Sequence, residues 1–499
     1  MKMERLPLEL WEDILLYVCI EDQHSLIIKS THRLIGPLPF THVSSRWRSN
    51  ITSCPRLWSL IYVDLHTQRH PPGVVSLIEL FLRNSGGSPL RLSIAFAKMH
   101  SSENPFSQTR LRILELLFGR LSSCKELALR HFEAFGPLVA DILSKEQPDL
   151  QFPNLRSLSL WRTPFHEDRD DGMKLWDAWK RAPLLQELDI NFFSVLPQVG
   201  ALPNRLTTLI VHIQPHDDHV RTFKDLLMAN SPTLAKLMVS CSTELPMPSR
   251  TTGMVNIPSL KFFAFEPRYL AHDMSVLFGD FQFPNLITLD LILEDGAEVQ
   301  SEDFPRVFRQ CASHISYLSV WFRGLHSQDC LSWLPLLFSH TPNVRELAIS
   351  MEAGLLPVLS RAPSPTTEVI SALGLPIEGT KVFLLPRLQF VQIYDGHITE
   401  LTLELLGAFV NMVESRVPTT KLSEVSFLYC LPEHQGGHYN RDSTPFDSHH
   451  CVSVSGSDPS VLLLLERLGN HSRATGARCK VEHAARDGLF SPTYLGEEW

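Results

Sequence analysis

The sequence predicts an α/β chain in which a small N-terminal helical module precedes a long array of short parallel strands and helices. Three observations lead to this prediction. Apolar residues near the N-terminus recur at helical spacing, one apolar phrase returns many times from about residue 120 onward, and a proline precedes most of its copies. Short strands that alternate with helix-length segments are typical of parallel sheets. We therefore expect a helical opening followed by a repetitive parallel sheet.

The N-terminal helix is predicted by its start signals and its apolar stripe. Pro7 suits the first turn of a helix, where a missing N–H leaves no bond unmade. Acidic residues follow it at Glu9, Glu12 and Asp13, where the helix dipole favours negative charge. Apolar residues at helical spacing then form one stripe, and they are Leu10, Ile14, Tyr17 and Val18.

The first sixty residues resemble an F-box. The resemblance rests on the Leu6-Pro7 pair, on Val43 with Trp47 four positions later, and on Leu57-Trp58. It implies docking on the Skp adaptor of a cullin-based ubiquitin ligase, and a receptor that is not an enzyme. Large apolar side chains typically anchor such interfaces. The expected adaptor-binding residues are Leu6, Pro7, Leu10, Ile14 and Trp47.

One segment departs from the F-box pattern. The stretch between Val18 and Phe40 is longer than a compact F-box needs, and it is predicted to be a loop inserted between two helices. An inserted loop need not disturb the surrounding contacts, because the entropic cost of a loop grows slowly with its length.

The repeated phrase is an apolar residue followed by two further apolar residues at the third and fifth positions after it. Its last two apolar positions alternate along the chain, so both point to one face of a short strand. A proline stands two residues before many copies and is expected to end the preceding helix and start an extended segment. The clear copies begin at Leu155, Leu185, Leu206, Leu234, Leu260, Leu286, Ile315, Val344, Leu388 and Leu422, with a weaker one at Cys124.

A strand and a helix that recur every roughly 20 to 45 residues resemble an irregular leucine-rich repeat. The resemblance implies a solenoid whose parallel sheet forms a concave face. Its phrase lacks the regular asparagine of the strict repeat, which predicts uneven curvature. A non-repeating α/β domain with buried strands is the alternative. An F-box joined to such repeats, together with Pro55-Arg56-Leu57-Trp58, is similar to the large F-box-like families of mushroom-forming fungi.

Domain boundaries follow from these patterns. The F-box-like module is placed at residues 1–66, and a connecting and capping segment follows it. The predicted later parts are the capping segment 67–119, the solenoid 120–430 with an inserted loop at about 351–384, a polar mobile loop 431–458, and a C-terminal cap and tail 459–499.

The substrate site is expected on the concave face. Residues between and after the inward apolar positions point outward, and exposed aromatic and charged side chains there are candidate anchors. Those singled out are Trp161, Asp189, Asn191, Asp290, Tyr317, Trp321, Phe390 and Tyr394.

Composition limits the other classes of function. The 499 residues are 44% hydrophobic and 20% charged, with a net charge of −9. A nucleic-acid binder would carry a basic excess, and no run of residues is apolar enough to span a membrane. The nine cysteines are scattered, which suits reduced thiols in the cytoplasm or the nucleus.

Residues for catalysis or for a cofactor are not evident. Gly86-Gly87 lacks the Lys-Ser/Thr of a phosphate-binding loop, and no nucleophile elbow is present, so neither an enzyme nor a cofactor is expected. Zinc ligation by a Cys- and His-rich stretch from Cys430 to Cys451 is the alternative, although a solvated loop without paired cysteines fits this stretch better.

Two functions therefore stay open. The first is a substrate receptor that binds the Skp adaptor, and through it the cullin, with one end of the chain and an unknown protein with the other. The second is a non-catalytic leucine-rich-repeat scaffold whose F-box-like segment no longer binds the adaptor.

Overall fold

The chain is an α/β protein built on a large, mainly parallel sheet, as the sequence predicts. It divides into two compact units, unit 1 (Met1–Leu237) and unit 2 (Met238–Trp499), so the boundary predicted at residue 66 falls inside unit 1. The computed structural model describes residues 8–20, 24–29, 33–65, 73–96, 108–130, 151–161, 182–191, 204–213, 217–241, 245, 254–294, 314–323, 334–352, 365–375, 383–395, 403–416, 422–429, 463–464, 466–468, 470 and 478–483.

From β3 to β8 the strands of unit 1 lie in chain order, and each pairs in parallel with its successor. Strand β1 lies between β3, to which it is parallel, and the edge strand β2, to which it is antiparallel. Its described strands are β1 (Leu26–Ile28), β2 (Arg33–Ile35), β3 (Leu60–Asp64), β4 (Leu90–Ala95), β5 (Cys124–Arg130), β6 (Ser157–Trp161), β7 (Glu187–Asn191) and β8 (Thr208–Ile213).

Helical segments separate several of these strands. Residues Pro55–Trp58 form a 3-10 helix directly before β3, and Leu121–Ser123 form another before β5. The described α-helices of unit 1 are α1 (Leu8–Cys19), α2 (Leu38–Thr41), α3 (Ser45–Thr52), α4 (Val74–Asn84), α5 (Gln108–Phe118) and α6 (Asp217–Asn230).

The loop predicted between Val18 and Phe40 is wrong in its central part. Strands β1 and β2 lie there, and residues 26–28 are fully buried. The Ser25 hydroxyl donates to the Leu57 and Leu60 carbonyls, the latter at 3.1 Å, which joins this edge of the sheet to the 3-10 helix and β3. The described part of residues 1–66 therefore mixes helices with strands that extend the sheet of unit 1.

Unit 2 repeats the same parallel arrangement. The division between the units falls within β9 (Lys236–Cys241). Strands from β11 to β18 lie in chain order apart from the short parallel pair β10–β12. The described strands after β9 are β10 (Val255–Asn256), β11 (Phe262–Glu266), β12 (Phe281–Gln282), β13 (Thr288–Glu294), β14 (Tyr317–Arg323), β15 (Glu346–Glu352), β16 (Phe390–Asp395), β17 (Glu424–Tyr429) and β18 (Arg478–His483).

The described α-helices of unit 2 connect these strands. They are α7 (Leu270–Phe278), α8 (Leu334–His340), α9 (Pro365–Gly374) and α10 (Leu403–Arg416). Helix α9 lies within residues 351–384, which the sequence predicted to be an inserted loop. That prediction is wrong for this part of the segment, because Val369, Ile370 and Leu373 form a buried apolar stripe at helical spacing.

The apolar phrase produces the strands for the expected reason. Each described copy leads into a strand, and in the copies from Cys124 to Leu388 the last two apolar positions are buried on the inner face, as Leu158 and Leu160 are in β6. In unit 2 the inner face of β11 packs on α7, since the Phe278 ring lies 4.9 Å from Phe263 and 5.5 Å from Phe265, edge-on to both. Burial of such aromatic rings is the main stabilising term for the stack.

The prolines before the phrases shape β-turns, which is a more specific role than the predicted one of ending a helix. In six described copies the proline occupies the second position of a β-turn whose fourth residue, the first apolar residue of the phrase, donates its N–H to the carbonyl of the first; after Pro232 the Leu234 N–H reaches the Asn230 carbonyl instead. The Leu185 N–H reaches the Ala182 carbonyl at 3.2 Å, and the Leu286 N–H reaches that of Phe283 at 3.2 Å. Proline favours this position because its φ is already set for the turn. Each turn directs the chain into the next strand.

Candidate functional site

Helix α1 carries two apolar faces, and one of them is exposed. Trp11, Leu15 and Cys19 are buried. The other face, here termed the exposed α1 face, consists of Leu10 (49% exposed), Ile14 (40%), Tyr17 (89%) and Val18. Four large apolar or aromatic side chains at helical spacing form one continuous surface. This surface contains two of the predicted adaptor-binding residues, whereas Leu6 and Pro7 lie outside the described residues.

Trp47, the remaining predicted adaptor-binding residue, has a mainly internal role. Its ring lies edge-on to Trp11 with 4.7 Å between centroids and is stacked against Phe40 at 5.8 Å. The Ser44 side chain caps α3 by accepting the Trp47 N–H at 3.2 Å. Half-buried in this position, Trp47 fixes the buried side of α1 while Val43 nearby remains exposed.

The Pro-Arg-Leu-Trp sequence also serves the core of unit 1. Trp58 is buried, its indole N–H donates to the Ile51 carbonyl at 2.9 Å, and its ring meets Phe81 of α4 edge-on at 4.9 Å. On the solvent side Arg56 faces Glu12 of α1 at 3.6 Å. Trp58 thus joins α3 to α4, and Arg56 links the same 3-10 helix to α1.

A polar cluster lies on the outer face of the unit 1 sheet, the face opposite the buried leucines. The Asp189 carboxylate accepts the Trp161 indole N–H at 2.6 Å and the Ser159 hydroxyl at 2.7 Å, both on Oδ2. The Arg130 guanidinium lies 5.2 Å from the Trp161 ring centroid in a cation–π arrangement. The structure thus brings the predicted residues Trp161 and Asp189 together, with Asn191 in register beside Trp161.

Burial sets the protonation of this cluster. It raises the pKa of Asp189 from its usual 3.8 to about 6, against the opposing effects of the Trp161 and Ser159 hydrogen bonds and the Arg130 charge. A carboxyl group with this pKa titrates between weakly acidic and neutral pH. The charge of this cluster therefore changes within that pH range.

Replacing Asp189 by Asn should remove one component of the pH dependence of stability. Because the folded-state pKa lies above the unfolded one, the folded chain binds more protons between about pH 4 and 6, and wild type loses stability as the pH rises through that window. The variant should gain up to about 2–3 kcal/mol relative to wild type between pH 4 and pH 7. Urea unfolding at several pH values measures this difference, and a pH-independent difference would contradict the assignment.

On the outer face of unit 2 the predicted aromatic residues separate into two groups. Trp321 was expected to be exposed, but it is buried (7% exposed), and its indole N–H donates to the Ser319 hydroxyl of the same strand at 2.7 Å. Phe390 is exposed (41%), and Tyr317 and Tyr394 are half-buried. Asp290, in register with Ser319, is also half-buried. Phe390 is therefore the most accessible of the predicted anchors on this face.

Two glutamates flank Phe390, and the sequence prediction did not include them. In the strand register Tyr317, Glu346, Phe390 and Glu424 are successive neighbours; we term this set the acidic-aromatic row. Burial raises the pKa of the Tyr317 hydroxyl, and the charges of Asp290 and Glu346 raise it further. All four residues occupy the same position of the apolar phrase, the one before its second apolar residue, so the sequence did contain the signal.

The described residues show no metal centre. They contain no group of three or more His, Cys, Asp or Glu side chains that could hold a metal ion, and the Cys430–Cys451 stretch lies outside them. Burial raises the pKa of the Cys19 thiol to about 11 and that of Cys124 to about 12, so both stay protonated and unreactive. Within the same part of the chain, no helix combines the length and the apolar character needed to cross a bilayer.

The candidate sites are three surfaces, the exposed α1 face of unit 1 and the outer sheet face of each of the two units. Comparison with protein-family models found no match to the chain, and comparison with curated proteins likewise found none.

Proposed function

We propose that this chain is the substrate-recognition subunit of a Skp–cullin–F-box ubiquitin ligase. The exposed α1 face binds the Skp adaptor, and the parallel sheet, built as an irregular leucine-rich-repeat solenoid, binds a protein substrate. The observation that carries the proposal is that α1 presents Leu10, Ile14, Tyr17 and Val18 to solvent while its other side is fixed in the core. A surface of this kind usually marks a protein–protein interface.

The support beneath the exposed α1 face suits an interface. Trp11 of α1 and Trp47 of α3 meet edge to face, and Trp58 anchors α3 through its hydrogen bond to Ile51. A rigid helix that displays apolar anchors loses little conformational entropy on binding. Because its apolar residues recur at helical spacing, the face fits a groove between partner helices.

One observation favours the second candidate, a scaffold that does not bind the adaptor. Trp47 and Trp58, which carry much of the F-box resemblance, have their rings engaged inside unit 1. Strands β1 and β2 also join the segment to the sheet. In a scaffold the N-terminal segment would serve only to cover the edge of β3. The two candidates differ in whether the exposed α1 face binds an adaptor.

Changing both Leu10 and Ile14 to Asp should weaken adaptor binding at least about thirtyfold, the effect of losing about 2 kcal/mol at an interface anchor. Folding should be unaffected, because both side chains already face solvent. Titration of purified Skp adaptor into the full chain by calorimetry measures the change.

Leu375→Asp is the matched control for the double variant. Leu375 is 63% exposed and follows α9 in unit 2, so its substitution adds a charge at an apolar surface position away from α1. Adaptor affinity should be the same as in wild type. Equal affinity for the Leu10/Ile14 variant would remove the exposed α1 face from the interface.

A further inference from the structure

We propose that the acidic-aromatic row of unit 2 binds a segment of a partner protein that presents Arg or Lys side chains. That this partner is the substrate of the ligase rests on the proposed function; the binding of a basic segment does not. The inference concerns Tyr317, Glu346, Phe390 and Glu424, which stand side by side on β14 to β17.

The geometry of the row matches an extended or irregular peptide laid across the strands. Neighbouring strands are about 4.8 Å apart, so four in-register residues span about 14 Å. Aromatic and acidic side chains alternate along this distance. A cationic side chain can therefore lay its aliphatic stem or its charge on the Phe390 ring and place its head at a carboxylate on either side.

The charges of the row are available to a partner. Among the residues that the structure describes, neither Glu346 nor Glu424 forms an ion pair. The glutamate at the same strand position of β5 differs, since Glu126 is bound by Arg91 at 2.5 Å and approached by Lys125 at 3.6 Å. The Glu126 carboxylate is neutralised within the chain, whereas the Glu346 side chain is exposed.

The exposed ring between the carboxylates gives the row an apolar anchor. Phe390 is 41% exposed and Glu346 is exposed, so both side chains are accessible from solvent. Aromatic anchors with charged neighbours provide affinity and specificity together. The negative sign of the row favours a basic protein segment and opposes nucleic acid and anionic lipid surfaces. Arg478 follows Glu424 in register on β18, so Glu346 is the carboxylate to test.

The test uses the full chain and a fluorescein-labelled dodecapeptide of alternating Arg and Ser, with binding followed by fluorescence anisotropy. Wild type should bind it with an affinity that falls as salt is added. Glu346→Gln and Phe390→Ala should each weaken binding about three- to tenfold. A peptide of alternating Glu and Ser should not bind.

Glu187→Gln is the matched control, because Glu187 is an exposed glutamate at the same strand position in unit 1 and its loss changes the net charge equally. Its affinity should stay within about twofold of wild type. If Phe390→Ala lowers the melting temperature, Phe390→Leu takes the place of the alanine variant in the comparison. Leucine keeps the apolar bulk of the side chain but removes the aromatic ring face.

Three results would overturn the proposal. One is absence of peptide binding. Another is an equal loss in Glu187→Gln and Glu346→Gln, which would show a general charge effect. The third is a dimer in sedimentation that Phe390→Ala dissociates without any change in peptide binding, which would make a second copy of the chain the occupant. Binding of the Skp adaptor is measured separately. A wild-type chain that binds the basic peptide but not the adaptor would refute the proposed function and leave the proposal for the acidic-aromatic row standing.

Discussion

Replacing Arg416 by Met is expected to destabilise the α9–α10 region of unit 2 by about 3–5 kcal/mol. Arg416 ends α10 and is fully buried. Its guanidinium donates to the carbonyls of Leu373 and Leu384, and to that of Leu385 at 3.2 Å. Methionine fills similar space but leaves these acceptors without their donor, and each buried unpaired group costs about 1–3 kcal/mol.

The same guanidinium fixes an unusual backbone. Leu385 has a φ of 55°, a left-handed conformation that a residue with a Cβ adopts only when its surroundings hold it there. Arg416 bonds to its carbonyl and lies 5.2 Å from the Phe383 ring centroid. Burial lowers the pKa of Arg416 to about 10, so it remains charged at neutral pH.

Hydrogen exchange of peptides from α9 and α10 measures the effect of the Arg416 variant. Arg467→Met is the control, since Arg467 binds Glu414 of the same helix at 2.7 Å on the surface. Exposed ion pairs contribute only about 0–1 kcal/mol. Similar protection in both variants would show that Arg416 does not hold this region together.

Replacing Trp58 by Ala should destabilise unit 1 by about 4–5 kcal/mol. The change empties the space beside Phe81 and leaves the Ile51 carbonyl without its donor. Because Trp58 also supports α1 and α3, the variant should lose adaptor binding together with stability. Trp58→Phe keeps most of the ring and should cost about 1–3 kcal/mol, mainly through the lost hydrogen bond.

Arg56→Ala is the control for Trp58, two residues away in the same 3-10 helix. Its side chain is mostly exposed and only approaches Glu12 at 3.6 Å, so its removal should change stability by less than about 1 kcal/mol. Urea unfolding followed by tryptophan fluorescence gives the comparison. Equal stability of the Ala variants at 56 and 58 would contradict the core role of Trp58.

The strands could be predicted because their signal is local. Leu158 and Leu160 alternate within one short segment, and a parallel strand buries such pairs wherever they occur. The proline that precedes many phrases marks the turn for an equally local reason, its fixed φ. The same pattern located Phe390 and Tyr317 on the outer face.

The features that were missed depend on contacts distant in sequence. The run Leu26-Ile27-Ile28 is too short to predict a strand by itself. It forms a strand because β3 pairs with it. Trp161 and Trp321 occupy the same position of the phrase, yet Trp321 is buried, whereas Trp161 is half-buried and donates to Asp189 on the next strand. The period of the phrase is the same in both strands and does not contain this difference.

Titration of purified Skp adaptor into the full chain decides whether this protein binds the adaptor at all. We expect a stoichiometric complex in calorimetry and size-exclusion chromatography. That complex should be lost when Leu10 and Ile14 are both replaced by Asp and retained in Leu375→Asp. A wild-type chain that is folded by circular dichroism yet shows no binding to the adaptor would contradict the ligase proposal and leave the scaffold as its function.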